Sequence, residues 1–510
     1  MLNQLVNKVN SPKEFVEFLK HFREKYIMEY KEATNLPKSF WETYSSFSNT
    51  SGGIIVLGVK EALPENQIVG VGNSEKIIAD LWNQLSNPNK VSFRNVGNED
   101  VIPIRVDEAR TIIVIVIREA PENMKPVYLD GREPNSYIRT GDGDRKATAD
   151  ELKAMVRNAQ PAQDSISLEH YTLEDLDPIS VMEYKTLAHK RYPARKYVEM
   201  TDEDFLVETG ACLKDRVTGQ VKIKRGALLF LGKCNAIKEE YPQFHLDFFN
   251  MRGGGSRWTD RVSDDEPGDA EINVFQFFRI VDMKLKALMQ ESFQLDENQV
   301  RLPAGGFDET IRECLANCLA HADYMQGYPS IKIEAYDGWY RFLNPGKMLV
   351  SPTQFRIGGD SRPRNEIIMK MFRMIGVSDR QGGGGPLIFK SAIEGNFRMP
   401  EIETNIEKTE LKVWNIDLAD SYPELAPDEK ASLKYILKAG SGVSVKMISD
   451  GTGLSDYFAR KALTALVDSG FIEVHGKGPA TRYYIAMGRP EILTQLEMVV
   501  DSLKRQLYQE

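Results

Sequence analysis

The spacing of hydrophobic residues changes along the chain, and it predicts an α/β protein built from several domains. Two apolar runs of strand length, IIVLGV at 54–59 and IIVIVI at 112–117, predict buried strands. Apolar residues at helical spacing predict helices near 38–48 and over 273–294. Because strands and helices both recur, the pattern is typical of mixed folds rather than of a helix bundle.

A helix predicted over 308–324 carries two different faces. Its apolar face repeats at every fourth residue: Ile311, Leu315 and Leu319. Glu313, Asn317 and His321 repeat at the same spacing on another face. An acid, an amide and an imidazole in one row could hold a metal ion and polarise a water molecule. A solvated helix face is an equally good interpretation of this helix taken alone.

The segment that follows predicts a β-hairpin and a glycine-rich loop. Apolar and charged residues alternate over 331–336, and Asp337-Gly338 is a hairpin turn signal. The return strand ends at Asn344-Pro345-Gly346. Further on, Gly382 to Gly385 precede another helix-like run. Such a glycine cluster lets backbone N–H groups approach a ligand closely.

The central region gives weaker signals. RGALLFLGK at 225–233 predicts a buried strand followed by a turn, because its interior is wholly apolar. The acidic segment 159–177 predicts a linker. We find no chemistry in this region that favours more than a structural role.

The C-terminal region predicts a winged helix over 425–486. Three helices precede a hairpin whose turn is Gly476-Lys477-Gly478. The third helix would present Arg460 and Lys461 to a DNA groove, and Lys477 would touch phosphates. A protein-binding winged helix is an equal alternative. An amphipathic helix is predicted over 488–510.

Composition and charge narrow the possible classes. The chain has 510 residues and a formal net charge of −9, so any nucleic-acid contact must come from a local basic patch. No apolar stretch is long enough to predict a membrane span, and the start has no signal-peptide pattern. Four cysteines are too few to stabilise a chain of this size by disulfide bonds. We expect Cys314 and Cys318 to be reduced and packed in the interior, in a cytoplasmic protein.

Several motifs between residues 20 and 150 resemble the AlbA-type domain of the Schlafen family. They occur in family order and are Glu29-Tyr30-Lys31, the Ser46–Gly53 segment, Leu57-Gly58-Val59, Val69-Gly70-Val71, Lys125-Pro126-Val127-Tyr128 and Tyr137–Gly141. The resemblance implies a nucleic-acid-binding α/β unit. Binding would use a set of basic residues: Lys31, Arg139, Arg145 and Lys146.

Some members of that family are metal-dependent RNases with three carboxylates, and the resemblance assigns these positions to Glu24, Glu29 and Glu61. Three carboxylates could hold Mg²⁺ or Mn²⁺, which would activate water at a phosphodiester. The chain departs from the pattern because it has Glu61 where the RNases have Asp, with Lys60 beside it. The alternative is that Glu24 and Glu61 are ordinary surface charges.

The region around 300–405 resembles the GHKL ATPase fold, in the branch found in RecG-like transcriptional regulators. The helix with Glu313 and Asn317, the hairpin, the Asn-Pro-Gly turn, the Ser361–Asn365 segment and the glycine cluster occur in family order. The resemblance implies that Asn317 holds Mg²⁺ and that Glu313 is the general base. The remaining ATP-binding positions would be Asn344, Gly346, Arg362, Gly382, Gly383 and Gly384.

Two departures limit this second resemblance. Many GHKL proteins have Asp where this chain has Asn344, and no catalytic lysine is evident nearby. ATP binding is therefore better supported than hydrolysis. A degenerate fold kept as a scaffold is the alternative.

The predicted fold class is α/β and α+β, with several domains. They are an AlbA-type domain (1–158), an α/β connector (159–299), a GHKL-like α/β sandwich (300–420), a winged helix (425–486) and a C-terminal helix (488–510). We expect an ATP- and Mg²⁺-binding regulator of DNA or RNA, acting as a homo-oligomer without a membrane. The alternatives are a metal-dependent nuclease in phage defence or stress, and a nucleotide-gated scaffold without nucleic acid.

Overall fold

The computed structural model describes residues 12–21, 27–141, 143–160, 162–255, 257–266, 271–291, 306–359, 362–378, 382–395, 397–439 and 441–486. The chain divides into two compact units, Met1–Pro161 and Ala162–Glu510. Mixed α/β architecture in more than one domain is confirmed. The helix predicted over 488–510 lies outside the described residues. Among the described helices, none has the length and apolar character needed to cross a membrane.

The first unit is built on a four-stranded sheet with helices on both faces. Its helices are α1 (Pro12–His21), α2 (Ser39–Asn49), α3 (Ser74–Leu85) and α4 (Ala149–Ala159). Its strands are β1 (Met28–Lys31), β2 (Gly53–Leu57), β3 (Val59–Lys60), β4 (Gln67–Ile68), β5 (Val101–Arg105), β6 (Thr111–Ile117), β7 (Tyr128–Leu129), β8 (Arg132–Thr140) and β9 (Gly143–Lys146). The sheet has the order β1-β2-β6-β5, and β7-β8-β9 form a second sheet.

Strands β2 and β6 are buried on both faces, as their continuous apolar sequences predict. One face packs with Phe40, Tyr44 and Phe47 of α2, and the other packs with Phe15 and Leu19 of α1. Within β1, Met28 and Tyr30 are buried while Glu29 and Lys31 face the opposite side. The two charged side chains of the Glu-Tyr-Lys motif therefore lie on one face of the strand.

The second unit is built on a six-stranded sheet. Its helices are α5 (Pro178–Arg191), α6 (Asp202–Glu208), α7 (Arg225–Leu231), α8 (Cys234–Glu240), α9 (Val274–Glu291), α10 (Phe307–His321), α11 (Pro352–Ile357), α12 (Glu366–Met374), α13 (Gly384–Glu394), α14 (Pro427–Ala439), α15 (Val445–Thr452) and α16 (Asp456–Asp468). Its strands are β10 (Cys212–Lys214), β11 (Val221–Ile223), β12 (Leu246–Asn250), β13 (Asp260–Ser263), β14 (Ile331–Tyr336), β15 (Trp339–Pro345), β16 (Glu401–Thr404), β17 (Lys408–Trp414), β18 (Ile472–His475) and β19 (Arg482–Ile485).

The sheet has the order β13-β12-β14-β15-β17-β16, so it joins two regions that the sequence pattern separates. Strand β12 pairs in parallel with β14, from Leu246 opposite Ile331 to Asn250 opposite Ala335. The sheet therefore spans the expected boundary between residues 299 and 300. Helix α10 packs on β14 and β15, and α12 and α13 pack against α10. Phe342 and Ile333 of the covered sheet face share one continuous core with these helices.

Two predictions for the central region are wrong. The segment Arg225–Leu231 is helix α7 rather than a strand, and residues 226–231 are all buried. A helix that is apolar all round has no visible period, so its sequence cannot be distinguished from that of a buried strand. The segment 159–177 is not a simple linker either, because Asp164 is 1% exposed and its Oδ2 accepts N–H bonds from Ile367 and Ile368 at the start of α12.

The C-terminal part of the second unit has its own small core. Helices α14, α15 and α16 and the β18-β19 hairpin enclose Leu433, Ile448 and Leu463. Ser455 caps α16 by accepting the N–H of Phe458. The predicted order of three helices and a hairpin is confirmed over 427–485.

Candidate functional site

The polar face of α10 lies at the wall of a cavity in the second unit. Glu313 is buried, and Asn317 is half-buried one turn later on the same face. The Nδ2 of Asn317 donates a hydrogen bond to Oε1 of Glu313 over 3.1 Å. The structure thus brings together the acid and the amide that the sequence predicts as a pair.

The glycine-rich loop comes directly against this pair. A Cβ atom on Gly384 would lie 2.8 Å from Nδ2 of Asn317, and it would overlap with Oε1 of Glu313. Only glycine fits at this point without a shift in the two polar side chains. Gly384 also begins α13, an eleven-residue helix, so unsatisfied N–H groups of its first turn lie at the cavity.

Cationic and polar side chains complete this part of the cavity, which has a volume of about 100 Å³. Its walls include Arg362 and Arg373 together with Gln354 and Ser378. Among the described residues, neither Arg362 nor Arg373 forms an ion pair within 4.0 Å with a carboxylate. Two guanidinium groups beside a helix N-terminus favour an anion such as a phosphate.

A second cavity, of about 70 Å³, continues from the first because Asn317, His321, Phe355 and Arg362 line both. Its floor is the covered face of the sheet. Most of the residues that line this second cavity have aliphatic or aromatic side chains, among them Phe342, Leu411, Ile402, Met348, Leu349 and Val350. Asn344 and Thr409 are the polar residues at this floor, and they are partners in the β15–β17 register. An apolar slot with a few polar groups suits a flat heterocycle.

His321 lies where the two cavities meet. Burial, together with the positive charge of Arg364, lowers the pKa of its imidazole to about 4. The ring is therefore neutral near neutral pH and adds no positive charge to the cavity.

Hydrogen bonds from Arg364 hold the Asn-Pro-Gly turn against the end of α10. Its Nε donates to the carbonyl oxygen of His321 over 3.1 Å, and its Nη2 donates to that of Lys347 over 2.8 Å. Gly346 has φ +89°, and a Cβ there would lie 2.9 Å from the Cβ of Asp323. Gly346 therefore shapes the turn without lining either cavity.

The donor set at α10 fits Mg²⁺. Because the Nδ2 of Asn317 bonds to Glu313, its Oδ1 is left as an acceptor, and among the described residues it has no hydrogen-bond donor. Amide and carboxylate oxygens are ligands that Mg²⁺ accepts, usually together with waters and phosphate oxygens.

Gly382 and Gly384 line the cavity, whereas Gly383 lies between them in the chain without lining it.

In the first unit, the Glu-Tyr-Lys motif belongs to a buried ion-pair network. The Oε1 of Glu29 lies 2.9 Å from Nζ of Lys31, and its Oε2 lies 2.9 Å from Nη1 of Arg139. Arg139 also pairs with Asp144 at 3.0 Å and stacks on the Phe47 ring. The side chain of Arg139 is 1% exposed, so it is an interior cation that neutralises two acids.

The other candidates of the first unit lie at the surface. Arg145 pairs with Glu151 at 2.6 Å, and Lys146 is exposed. Glu61 is exposed, while Glu24 lies outside the described residues. Among the described residues, Glu29 and Glu61 are not part of any group of three or more metal-ligating side chains.

A different group in the second unit does have metal-ligand spacing: His245, Asp264 and Asp265. Its carboxylates are already neutralised, since Nζ of Lys238 lies 2.8 Å from Asp264 and 2.5 Å from Asp265. Hydrogen bonds to Asp247 and Asp264 raise the pKa of His245 to about 10, so its ring is a cation. Because its acids and its imidazole already form ion pairs with one another and with Lys238, we interpret this group as a structural ion-pair network.

The C-terminal cations are exposed. Arg460 and Lys461 lie on α16, and Lys477 lies in the turn before β19. Next to them on α16, Tyr457 is 71% exposed and Phe458 is 49% exposed.

Three cavity residues were not predicted from the sequence: Arg373, Thr409 and Gln354. Thr409 could have been found from the β17 alternation, which places it on the same face as Leu411. Arg373 had no comparable signal, because its place depends on how α12 packs.

Two family models match separate parts of the chain and confirm the two resemblances. "Schlafen, AlbA_2" matches residues 24–148, and "Putative ATP-dependent DNA helicase recG C-terminal" matches residues 329–413. The chain therefore contains a Schlafen AlbA_2 domain and a RecG C-terminal-like ATPase-type domain. A third match, over residues 153–247, is to a domain of unknown function. Together, the two named domains suggest a nucleic-acid-related, ATP-binding protein.

The chain was also compared as a whole with solved structures and with curated proteins. The crystal structure of the DIP2311 protein from Corynebacterium diphtheriae is similar over 95% of this chain and 99% of that one, with 15% identity and a TM-score of 0.37. The comparison with curated proteins found no match.

Proposed function

We propose that this protein is an ATP-binding and nucleic-acid-binding regulator, in which nucleotide in the second unit controls nucleic-acid binding. The observation that carries the proposal is the continuous cavity from Gly384 to Asn344. One end is polar and cationic, and the other end is a mostly apolar slot. A nucleoside triphosphate has the same division between its phosphates and its base.

Each part of the cavity has a defined task in this proposal. The Glu313–Asn317 pair and the first turn of α13 face the phosphates, where Asn317 would hold Mg²⁺. Bound Mg²⁺ would offset phosphate charge. Arg362 and Arg373 bind phosphate oxygens, and Asn344 hydrogen-bonds the base. Glu313 accepts a proton from the attacking water if the protein hydrolyses ATP.

The nucleic-acid part rests on the AlbA_2 domain and on exposed cations. Lys146 in the first unit and Arg460, Lys461 and Lys477 in the C-terminal helices are exposed. Arg139 does not support this part directly, because its guanidinium is buried between Glu29 and Asp144. We expect it to shape the domain rather than to touch phosphates.

The direct test combines calorimetry with a nucleic-acid binding assay. ATP binding is measured with and without Mg²⁺, and the affinity for labelled duplex DNA and single-stranded RNA is then measured with and without saturating ATP. We expect Mg²⁺-dependent ATP binding and a change in nucleic-acid affinity of about tenfold, the usual size of coupling between two sites. Sedimentation of the same samples tests the expected homo-oligomer.

Equal nucleic-acid affinity with and without ATP would remove the coupling from the proposal. Absence of ATP binding would remove the nucleotide site, and absence of salt-dependent binding to either nucleic acid would favour a nucleotide-gated scaffold.

A further inference from the structure

Helix α12 carries a second set of cations on the side that meets the connector region of the same unit. Lys370 and Arg373 are exposed and lie one turn apart on this helix. Lys224 follows β11 and donates from its Nζ to the carbonyl oxygen of Gly210 over 3.0 Å. A Cβ on Gly210 would lie 2.6 Å from Nζ of Lys370, so both ammonium groups crowd against this glycine.

These three cations share a second feature, the lack of a carboxylate partner in the described part of the chain. Among the described residues, no ion pair within 4.0 Å involves Lys224, Lys370 or Arg373. Three neighbouring positive charges with no described carboxylate partner would attract an anion, although the chain as a whole has a net charge of −9.

Burial and repulsion from its cationic neighbours both act on the ammonium group of Lys370. Burial, together with the positive charges of Lys224 and Arg373, lowers the pKa of Lys370 below its ordinary value. A bound anion would relieve this repulsion, because it would place negative charge between the three groups.

We propose that Lys224, Lys370 and Arg373 form a binding site for the phosphate groups of a nucleic-acid strand. The inference rests on the proposed nucleic-acid binding and locates one of its contacts in the second unit. Exposed lysine and arginine groups at the surface suit a long polyanion that passes over them. Because Arg373 also lines the nucleotide cavity, it is shared between the two phosphate sites.

The shared arginine gives a direct route for coupling. A nucleotide phosphate that binds Arg373 takes one of three cations away from the nucleic-acid strand. Nucleotide and nucleic acid would then weaken each other's binding, and by equal factors, since such coupling is reciprocal.

The test uses the full chain and the double variant Lys224→Gln/Lys370→Gln. Neither lysine lines the nucleotide cavity. The matched control is Lys222→Gln/Lys390→Gln, which removes the same charge from lysines paired with Glu169 at 2.6 Å and Glu394 at 3.5 Å. Probes are labelled duplex DNA and single-stranded RNA, with inorganic pyrophosphate as a separate ligand.

We expect the double variant to bind nucleic acid about tenfold more weakly, with a salt slope reduced by about one or two, while the control stays within about twofold. ATP affinity should be unchanged in both. Arg373→Gln should weaken both ligands. Equal loss in the control, or no loss in the double variant, would overturn the inference while leaving the proposed function intact.

Failure of the proposed function gives a different pattern. The parent protein could bind pyrophosphate but no nucleic acid, while the double variant binds neither. This result would assign the site to free phosphates and would overturn the proposal that a nucleic-acid strand supplies them. If the parent protein binds neither pyrophosphate nor nucleic acid, the site itself is overturned.

Discussion

The Nδ2 of Asn317 donates to Oε1 of Glu313 over 3.1 Å, and Gly384 leaves no room for a methyl group beside either atom. An amide from one helix turn, a carboxylate from the turn before it and the first residue of another helix thus meet at one point. Each of the three can be changed separately.

Glu313→Gln should separate nucleotide binding from turnover. The amide keeps the size of the side chain and can still bond to Asn317, but it cannot accept a proton. If the parent hydrolyses ATP, we expect the rate to fall about 100-fold or more, while ATP affinity changes by less than about threefold. Phosphate release and calorimetry measure the two effects. Glu309→Gln, at an exposed position on the same helix, is the control and should alter neither.

Gly384→Ala should abolish nucleotide binding with little loss of fold. The new Cβ would lie 2.8 Å from Nδ2 of Asn317 and would displace the Glu313 carboxylate. Gly255→Ala is the matched control, because its Cβ would come no closer than 3.5 Å to another residue. Thermal melting with and without ATP reads out both properties. A variant that keeps the full ATP-induced shift would contradict the assignment of this loop.

Arg139→Ala should destabilise the first unit strongly. Its side chain is 1% exposed, and its removal leaves Glu29 and Asp144 without their shared cation. Breaking a buried pair from one side costs about 3–5 kcal/mol. Arg145→Ala, which removes a 43%-exposed partner of Glu151, should cost about 1 kcal/mol or less. Urea unfolding measures both. Similar small costs would mean that Arg139 is more accessible than its burial indicates.

The stability of the second unit should depend on pH through Asp164. Burial raises the pKa of this carboxyl from 3.8 to about 7. The folded state therefore holds a proton that the unfolded state releases, so this stabilisation is full below 3.8 and is lost as the pH rises through about 7.

Asp164→Asn removes this titration and keeps an oxygen for Ile367 and Ile368. The free energy of unfolding of the variant minus that of the parent should increase between about pH 4 and pH 7 and then level off. Urea titrations across this range, on both proteins, measure the difference. A difference that stays constant with pH would show that Asp164 does not titrate there.

The site was predictable where one helix or one strand carries it. Glu313 and Asn317 are four residues apart, so helical geometry alone places them together. The ion pairs of Arg139 with Glu29 and Asp144 were not predictable, because the β8-β9 hairpin places Arg139 beside a carboxylate from more than 100 residues away along the chain. Helix α7 was missed for another reason, since complete burial erased its period. Local sequence patterns therefore predict helices and strands. The residues that form ion pairs with buried charged side chains are set by how distant segments pack together.

The contact between Asp164 and the start of α12 also has a consequence for how the protein is made. The two groups are 203 residues apart in the chain. At the usual speed of a ribosome, Ile367 is translated roughly 10–40 s after Asp164. During that interval the first unit can fold, whereas the helix that Asp164 caps does not yet exist. The first stretch of the second unit must therefore wait for most of its own sequence, and it is the part of the nascent chain for which we expect the greatest need of a chaperone.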